Sequence, residues 1–268
     1  MKFSVITVCW NAENTIDDTL TSIVKQKNND FEIIIVDGLS SDKTLFKVKE
    51  IISKNNFPES RCKIISEKDR GVFDAMNKGI KNANGEYVLF MNCGDSFYND
   101  DILDQFNDAI DRGENADVYY GNTLMEFYEG SGIFHDGEDT PRNSIMPFIH
   151  QSAITKREIL LNHPFDLSYT ICADLELYHW MRKQKYSFIH EDFIASRYDA
   201  KEGLSENNPL RIRRERDRIL GIDKTSGYHL RKLIQRCTIG LIQPIKRMAP
   251  RFLLNYYFKK KKTYIDWL

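Results

Sequence analysis

Residues 3–44 read FSVITVCWNAENTIDDTLTSIVKQKNNDFEIIIVDGLSSDKT. Two periods alternate within this stretch. Phe3 to Val8 is a short, almost wholly apolar run, as a strand buried on both faces requires. Ile16, Leu20, Ile23 and Val24 then fall at helical spacing. Glu13, Asp17 and Asp18 sit at the start of that stripe, where carboxylates favour the positive end of a helix. Phe31 to Val36 is a second buried strand. Strand, helix and strand in this order predict two parallel strands joined by a crossover helix.

The alternation continues outward. Leu45, Val48, Ile51 and Ile52 mark a second helix, and Cys62 to Ser66 a third strand. Phe73, Met76, Ile80 and Ala83 form a third helical stripe that ends at Gly85. Glu86 to Met91 reads as a fourth strand and Ala116 to Tyr120 as a fifth. Repeated units of this kind predict an α/β fold with a parallel sheet and helices on both faces. Residues 121–150 are rich in Gly, Pro and acids and less regular, and helical stretches follow near 156–162 and 173–184. There is no internal repeat.

The formal net charge of −1 comes from 38 Lys+Arg against 39 Asp+Glu, and it conceals a split. Residues 208–268 carry a net +12 and residues 1–207 a net −13. A segment of such opposite sign points to a partner of its own. The five cysteines (Cys9, Cys62, Cys93, Cys172, Cys237) form no CxxC, which argues against a zinc site or a disulfide scaffold and fits a reducing compartment. No run reaches the ~20 apolar residues that a spanning helix needs, and the N-terminus shows no signal pattern. A cytosolic location is therefore expected.

Ligands of open α/β sheets bind at the carboxyl ends of the strands. The residues just beyond them here are Cys9-Trp10-Asn11, Asp37-Gly38-Leu39-Ser40-Ser41-Asp42, Glu67-Lys68-Asp69-Arg70-Gly71 and Asn92-Cys93-Gly94-Asp95. Polar and acidic groups thus converge on one edge. Neither GxGxxG nor GxxxxGK[ST] is present, which weakens dinucleotide and P-loop readings.

The ordered segments SVITVCWNAENTIDDTLTSI, FEIIIVDGLSSDKT, SEKDRGVFDAMNKGIKNANGEYVLFMNCGDSF, HQSAITKREI and ADLELYHWM resemble the family 2 glycosyltransferases of the GT-A fold, from residue 3 to about 184. The likeness is greatest to bacterial enzymes that build O-antigen, capsule or colanic-acid repeat units. It implies a mixed sheet flanked by helices, a UDP-sugar donor, Mn2+ or Mg2+ and inversion at the anomeric carbon. It also implies a lipid-linked glycan acceptor, and self-association stays open.

Carried over by position, Thr7, Val8 and Trp10 would line the base pocket and Asn11 would close its loop. Asp37 would accept from the uracil N3–H. Asp69 and Gly71 fit the segment that contacts the nucleoside, and Lys78 could reach a phosphate. In Asn92-Cys93-Gly94-Asp95 the family commonly has two adjacent acids. Asp95 matches the second, which holds the cation, while Gly94 replaces the first, leaving ribose contact to Asn92 or backbone. Asp174 matches the acceptor-side base, with Ala173 in place of the usual Glu, and Glu176 is the alternative base. His150-Gln151 would face pyrophosphate, metal or acceptor. Tyr198 to Ser205 looks like a loop that closes over donor.

These expectations divide the chain into a catalytic domain (1–207, its nucleotide half ending near 120) and a basic region (208–268). Leu230, Leu233, Ile234, Cys237, Leu241 and Ile242 share one helical face opposite Arg231, Lys232 and Arg236. Tyr256, Tyr257, Phe258 and four lysines follow beyond Pro244. A basic amphipathic segment of this kind reads as peripheral on an anionic membrane surface, here the inner face of the cell membrane. The competing reading is a helix packed on the catalytic domain. No nucleic-acid motif accompanies the charge. A nucleotidyltransferase on a similar sheet and a non-catalytic membrane scaffold are the alternative functions.

Overall fold

The computed structural model describes residues 1–128, 130–135, 146, 148–201 and 208–228, together with the backbone of 265–267. At its centre lies β1 (Phe3–Cys9), between β2 (Phe31–Asp37) and β4 (Tyr87–Phe90), with β3 (Cys62–Ser66) beyond β2. All four are parallel, with Phe3 beside both Phe31 and Tyr87. The chain runs outward through β2 and β3 and then crosses back to β4. The sheet therefore reverses between β1 and β4, where α/β sheets open a crevice for ligands.

Successive strand residues point to opposite faces, so β1 and β2 feed two cores. On one face Phe3, Val5, Ile33 and Ile35 pack with Ile16, Leu20 and Ile23 of α1 (Ile16–Val24) and Val48 of α2 (Thr44–Lys54). On the other, Ile6, Val8, Ile34 and Val36 meet Phe73, Met76 and Ile80 of α3 (Val72–Asn82). Every residue of both strands is buried, which is why they read as unbroken apolar runs. Each fully buried Leu or Ile stabilises the fold by ~1.5–3 kcal/mol.

Short β5 (Ser96–Phe97) and α4 (Ile102–Ala109) follow β4. Beyond β4 the sheet becomes mixed. β8 (Ala153–Lys156) lies antiparallel to β4, and β6 (Val118–Phe127) antiparallel to β8. β6 also pairs with β7 (Gly130–Phe134) as an antiparallel neighbour and with β9 (Phe188–Asp199) in parallel. β10 (Ile265–Trp267) extends the edge beside β7. α5 (Arg157–Asn162), α6 (Ala173–Lys183) and α7 (Pro209–Ile219) complete the described helices. This is the mixed, helix-flanked sheet expected of a GT-A fold.

Several elements differ from the sequence reading. The fifth strand expected at 116–120 is only the start of the longer β6, and β7 follows inside the stretch taken as less regular. β5, α4 and β9 had no expected counterpart. β9 escapes notice because only Ala195 and Ser196 are buried along it, and register shifts near Asn122 break its pairing with β6. At the proposed 207/208 boundary α7 packs back onto the body, its Ile219 joining the second core. Residues 202–205 of the lid-like segment and residues 229–258 of the amphipathic stretch lie outside the described residues. No helix among the described residues is long and apolar enough to cross a membrane.

Candidate active site

A groove of about 470 Å³ opens at the carboxyl ends of β1 and β4. Its floor and walls bring together Val8, Trp10 and Asn11, the whole Asn92–Asp95 turn, His150, Gln151 and Asp174. These residues come from four separate stretches of chain.

The loop after β1 turns at Asn11, whose φ of 48° is left-handed. The Asn11 side-chain oxygen accepts from the Ser41 N–H at 2.9 Å, and its own N–H donates to Ser40 Oγ at 2.8 Å. The loops after β1 and β2 are thereby stitched together. Trp10 beside them is 69% exposed, so its indole stands open at the groove rim. Asp37 is fully buried one layer behind. Its carboxylate accepts from the Ser40 N–H, the Ser66 hydroxyl at 2.6 Å and the Cys9 thiol at 3.8 Å, and it does not line the groove. Thr7 is likewise buried, with a hydroxyl that finds no partner among the described residues.

Gly38 packs so closely that a Cβ there would stand 2.5 Å from Asp69 Oδ2 and 3.5 Å from Trp10 Cβ. Asp69 also accepts from the Gly71 N–H at 2.8 Å, and Gly71, at φ +116°, turns the chain into α3. Lys78 on α3 is bound to the Lys68 carbonyl (2.6 Å) and to Glu67 (2.9 Å), away from the groove. Cys9 remains a thiol: its hydrogen bond with Cys93, then burial, hold it well above its ordinary value.

The β4 turn carries the central carboxylate. Gly94 has φ +100°, a conformation that side-chain-bearing residues rarely adopt, so the position where the family resemblance leads one to expect a first acid is here shaped for glycine. Asp95 is 6% exposed. Its Oδ2 accepts from Gln151 Nε2 at 2.6 Å, and its Oδ1 from the Asp199 N–H at 3.1 Å. Burial pushes the Asp95 carboxyl up to about 7, against the pull of those donors. The amide oxygens of Asn92 and Gln151 are buried and accept no hydrogen bond among the described residues. One carboxylate and two unpartnered amide oxygens are hard donors suited to Mg2+ or Mn2+, which commonly complete their shell with substrate phosphates and water. No group of three or more His, Cys, Asp and Glu among the described residues could hold a metal by itself.

His150 links this turn to the start of α6. Its Nδ1 lies 3.0 Å from Asp174 Oδ2, and its Nε2 3.2 Å from Asn92 Nδ2. An ionised Asp174 only accepts, so the Nδ1 proton faces it and Nε2 accepts from Asn92. Asp174 stands in the first turn of α6. Ala173 before it is fully buried in the second core, so the Glu that the resemblance leads one to expect would have to bury its carboxylate there. Glu176 points elsewhere: its Oε2 is 3.8 Å from His163, whose ring stacks on Trp180 at 3.8 Å. Burial raises the Glu176 carboxyl above its usual range, but it does not line the groove.

Sequence reasoning missed Thr170, Ile171 and the backbone of Asp199 as site components. Asp199 contributes through its N–H, which no side-chain pattern marks, although the segment containing it was singled out as a closing loop.

The fold has counterparts among solved structures. In the fold comparison the chain resembles Staphylococcus aureus TarS solved with UDP, with a TM-score of 0.60 at 22% identity over 75% of this chain and 61% of that one. A mannosyltransferase from Pyrobaculum calidifontis, solved with GDP-Man and Mn2+, gives 0.59 at 17% identity over 78% and 60%. Among curated proteins, a Mycobacterium bovis PGL/p-HBAD biosynthesis glycosyltransferase is 33% identical over 64% of this chain and 66% of its own length. The Escherichia coli UDP-Glc:alpha-D-GlcNAc-diphosphoundecaprenol beta-1,3-glucosyltransferase WfgD is 27% identical over 81% and 85%. The chain thus spans just under two thirds of the mycobacterial relative and of TarS. The family model Glycosyl transferase family 2 matches residues 4–169, and the chain belongs to that family of glycosyltransferases.

Proposed function

We propose that the protein is a metal-dependent inverting transferase that moves a hexose or N-acetylhexosamine from a UDP-sugar to a hydroxyl of a lipid-linked diphosphate glycan. One observation carries this reading: Asp95 and the His150–Asp174 pair line the same groove at the sheet's switch point. The UDP complex of TarS and the lipid-diphosphate acceptor of WfgD support the choice of donor and acceptor.

In the proposed displacement the acceptor hydroxyl oxygen attacks the anomeric carbon as its bond to the diphosphate breaks. The hydroxyl proton passes to the Asp174 carboxylate, and UDP departs with the electron pair. His150 holds Asp174 in place through its Nδ1–H. Trp10 offers a flat exposed surface for the base. Asp95, with the Asn92 and Gln151 amide oxygens, would hold Mn2+ or Mg2+, whose charge stabilises the departing diphosphate. In this reading Asp37 acts from behind by fixing the loops that form the base pocket, and the basic region rests on an anionic membrane surface.

The test is thermal-shift titration with UDP, TTP and CTP, with and without Mn2+, joined to transfer assays. A Mn2+-dependent, UDP-selective rise is expected, and Asp95→Ala should lose it together with transfer. A preference for TTP or CTP would favour a nucleotidyltransferase. Full activity in Asp174→Asn would sink the base assignment.

A further inference from the structure

The basic region reaches the active site through one acid. Helix α7 carries five arginines and, among them, Glu215, which is only 9% exposed. The Glu215 carboxylate collects three successive backbone N–H groups. The Thr170 N–H donates to its two oxygens at 3.1 and 3.2 Å, and the Ile171 and Cys172 N–H groups each donate to Oε2 at 3.0 Å. The Thr170 hydroxyl adds a bond of 2.8 Å, and Arg211 closes the carboxylate from its own helix at 3.2 Å. Consecutive N–H groups aimed at one point form an anion-binding nest, here filled by the chain's own side chain.

Two neighbours brace the same turn. Arg218 donates to Ser168 Oγ at 3.0 Å and lies 4.5 Å over the Tyr169 ring. The Cys172 thiol contacts the Ile212 carbonyl at 3.9 Å. The braced turn leads directly into α6. Thr170 and Ile171 line the catalytic groove, and Asp174 follows two residues after Cys172. Glu215 also sets a negative charge at the positive end of α6. Burial pushes the Glu215 carboxyl up, but the N–H donors of Ile171, Thr170 and Cys172 outweigh it and hold it below the usual carboxylate range.

We propose that Glu215 is a positioning residue: from the basic region it fixes the 170–172 turn and thereby sets where Asp174 meets the acceptor hydroxyl. This rests on the reading of Asp174 as the base. The consequence is that the region bearing the positive charge is also required for proton transfer in the catalytic groove.

The test uses the full chain with Glu215→Gln, Asp174→Asn and the double variant, and Glu215→Ala as a stronger perturbation. UDP binding with Mn2+ is measured by calorimetry. Transfer is measured from UDP-glucose and UDP-N-acetylglucosamine to a short-chain polyprenyl diphosphate N-acetylglucosamine. Glu215→Gln keeps one oxygen acceptor and the side chain's shape, so the fold survives. Its UDP affinity should stay within about twofold while kcat falls about tenfold or more, as misplaced reacting groups do. In the Asp174→Asn background the same change should add little, because both act through one group. Wild-type kcat in both Glu215 variants would overturn the proposal. So would equal losses in the two backgrounds, or UDP affinity falling in step with kcat. Full activity in Asp174→Asn alone would overturn the base reading and the proposal with it, a result distinct from the others.

Discussion

Placing at Gly94 the acid that the family resemblance leads one to expect tests why glycine stands there. Gly94 sits at φ +100°, and no heavy atom lies within 4 Å of the position a Cβ would take. Gly94→Ala therefore meets no clash, and its cost is purely that of the backbone. Holding a side-chain-bearing residue in this region costs about 1–3 kcal/mol, offset by about 0.4–1 kcal/mol from the stiffer unfolded chain. The difference leaves a net loss of up to about 2.6 kcal/mol, centred on about 1.3, which at that centre lowers the melting temperature by roughly 3–5 °C in a chain of this size. Gly94→Asp should lose about the same, with a small addition from the charge beside buried Asp95. Scanning calorimetry of both variants without donor measures this, and UDP titration with Mn2+ reads the site. Matching losses and no gain in UDP affinity would assign the absent acid to backbone conformation. If neither variant melts lower, the glycine is not required by the turn and the reasoning fails.

Asp95 makes metal-free stability depend on pH. Its folded pKa of about 7 exceeds the ordinary 3.8, so the folded protein keeps a proton that the unfolded chain has released between about pH 4 and 7. Stability should fall across that window by up to a few kcal/mol and level off above it. Urea melts with chelator should show this for the wild type and a flatter profile for Asp95→Asn; identical slopes would refute it. Gly38→Ala puts a methyl 2.5 Å from Asp69 Oδ2 and should weaken UDP binding several-fold with little change in melting temperature. Unchanged affinity would remove Asp69 from the nucleoside contacts. Ala173→Glu buries a carboxylate in the second core and should cost more than about 3 kcal/mol, seen as lost soluble yield or a lower melting temperature. A variant as stable as the parent would show that the core has room for the usual Glu.

The site divides unevenly between what patterns reveal and what packing decides. Trp10, Asn92 and Asp95 were legible because each stands just beyond a strand, where the period changes, whereas Asp174 was reached through the family resemblance. Asp37 was legible by the same rule, yet its carboxylate turns inward to Ser40, Ser66 and Cys9. Lys78 came from the family resemblance and Glu176 from its closeness to Asp174, and tertiary partners draw both away from the groove. Glu215 acts 43 residues from the Cys172 N–H that it accepts, and nothing local distinguishes it from its neighbouring charges.

By itself the sequence determined the βαβ units, the two-faced core and the edge of the sheet where ligands bind. Those features follow from hydrophobic period, which is a local property of strands and helices. Only the tertiary structure decided which polar groups face that edge, that His150 bridges Asn92 and Asp174, and that the start of the basic region braces the turn leading into α6. Hydrogen-bond partners are chosen by distance in space, and polar residues carry no period that would announce them.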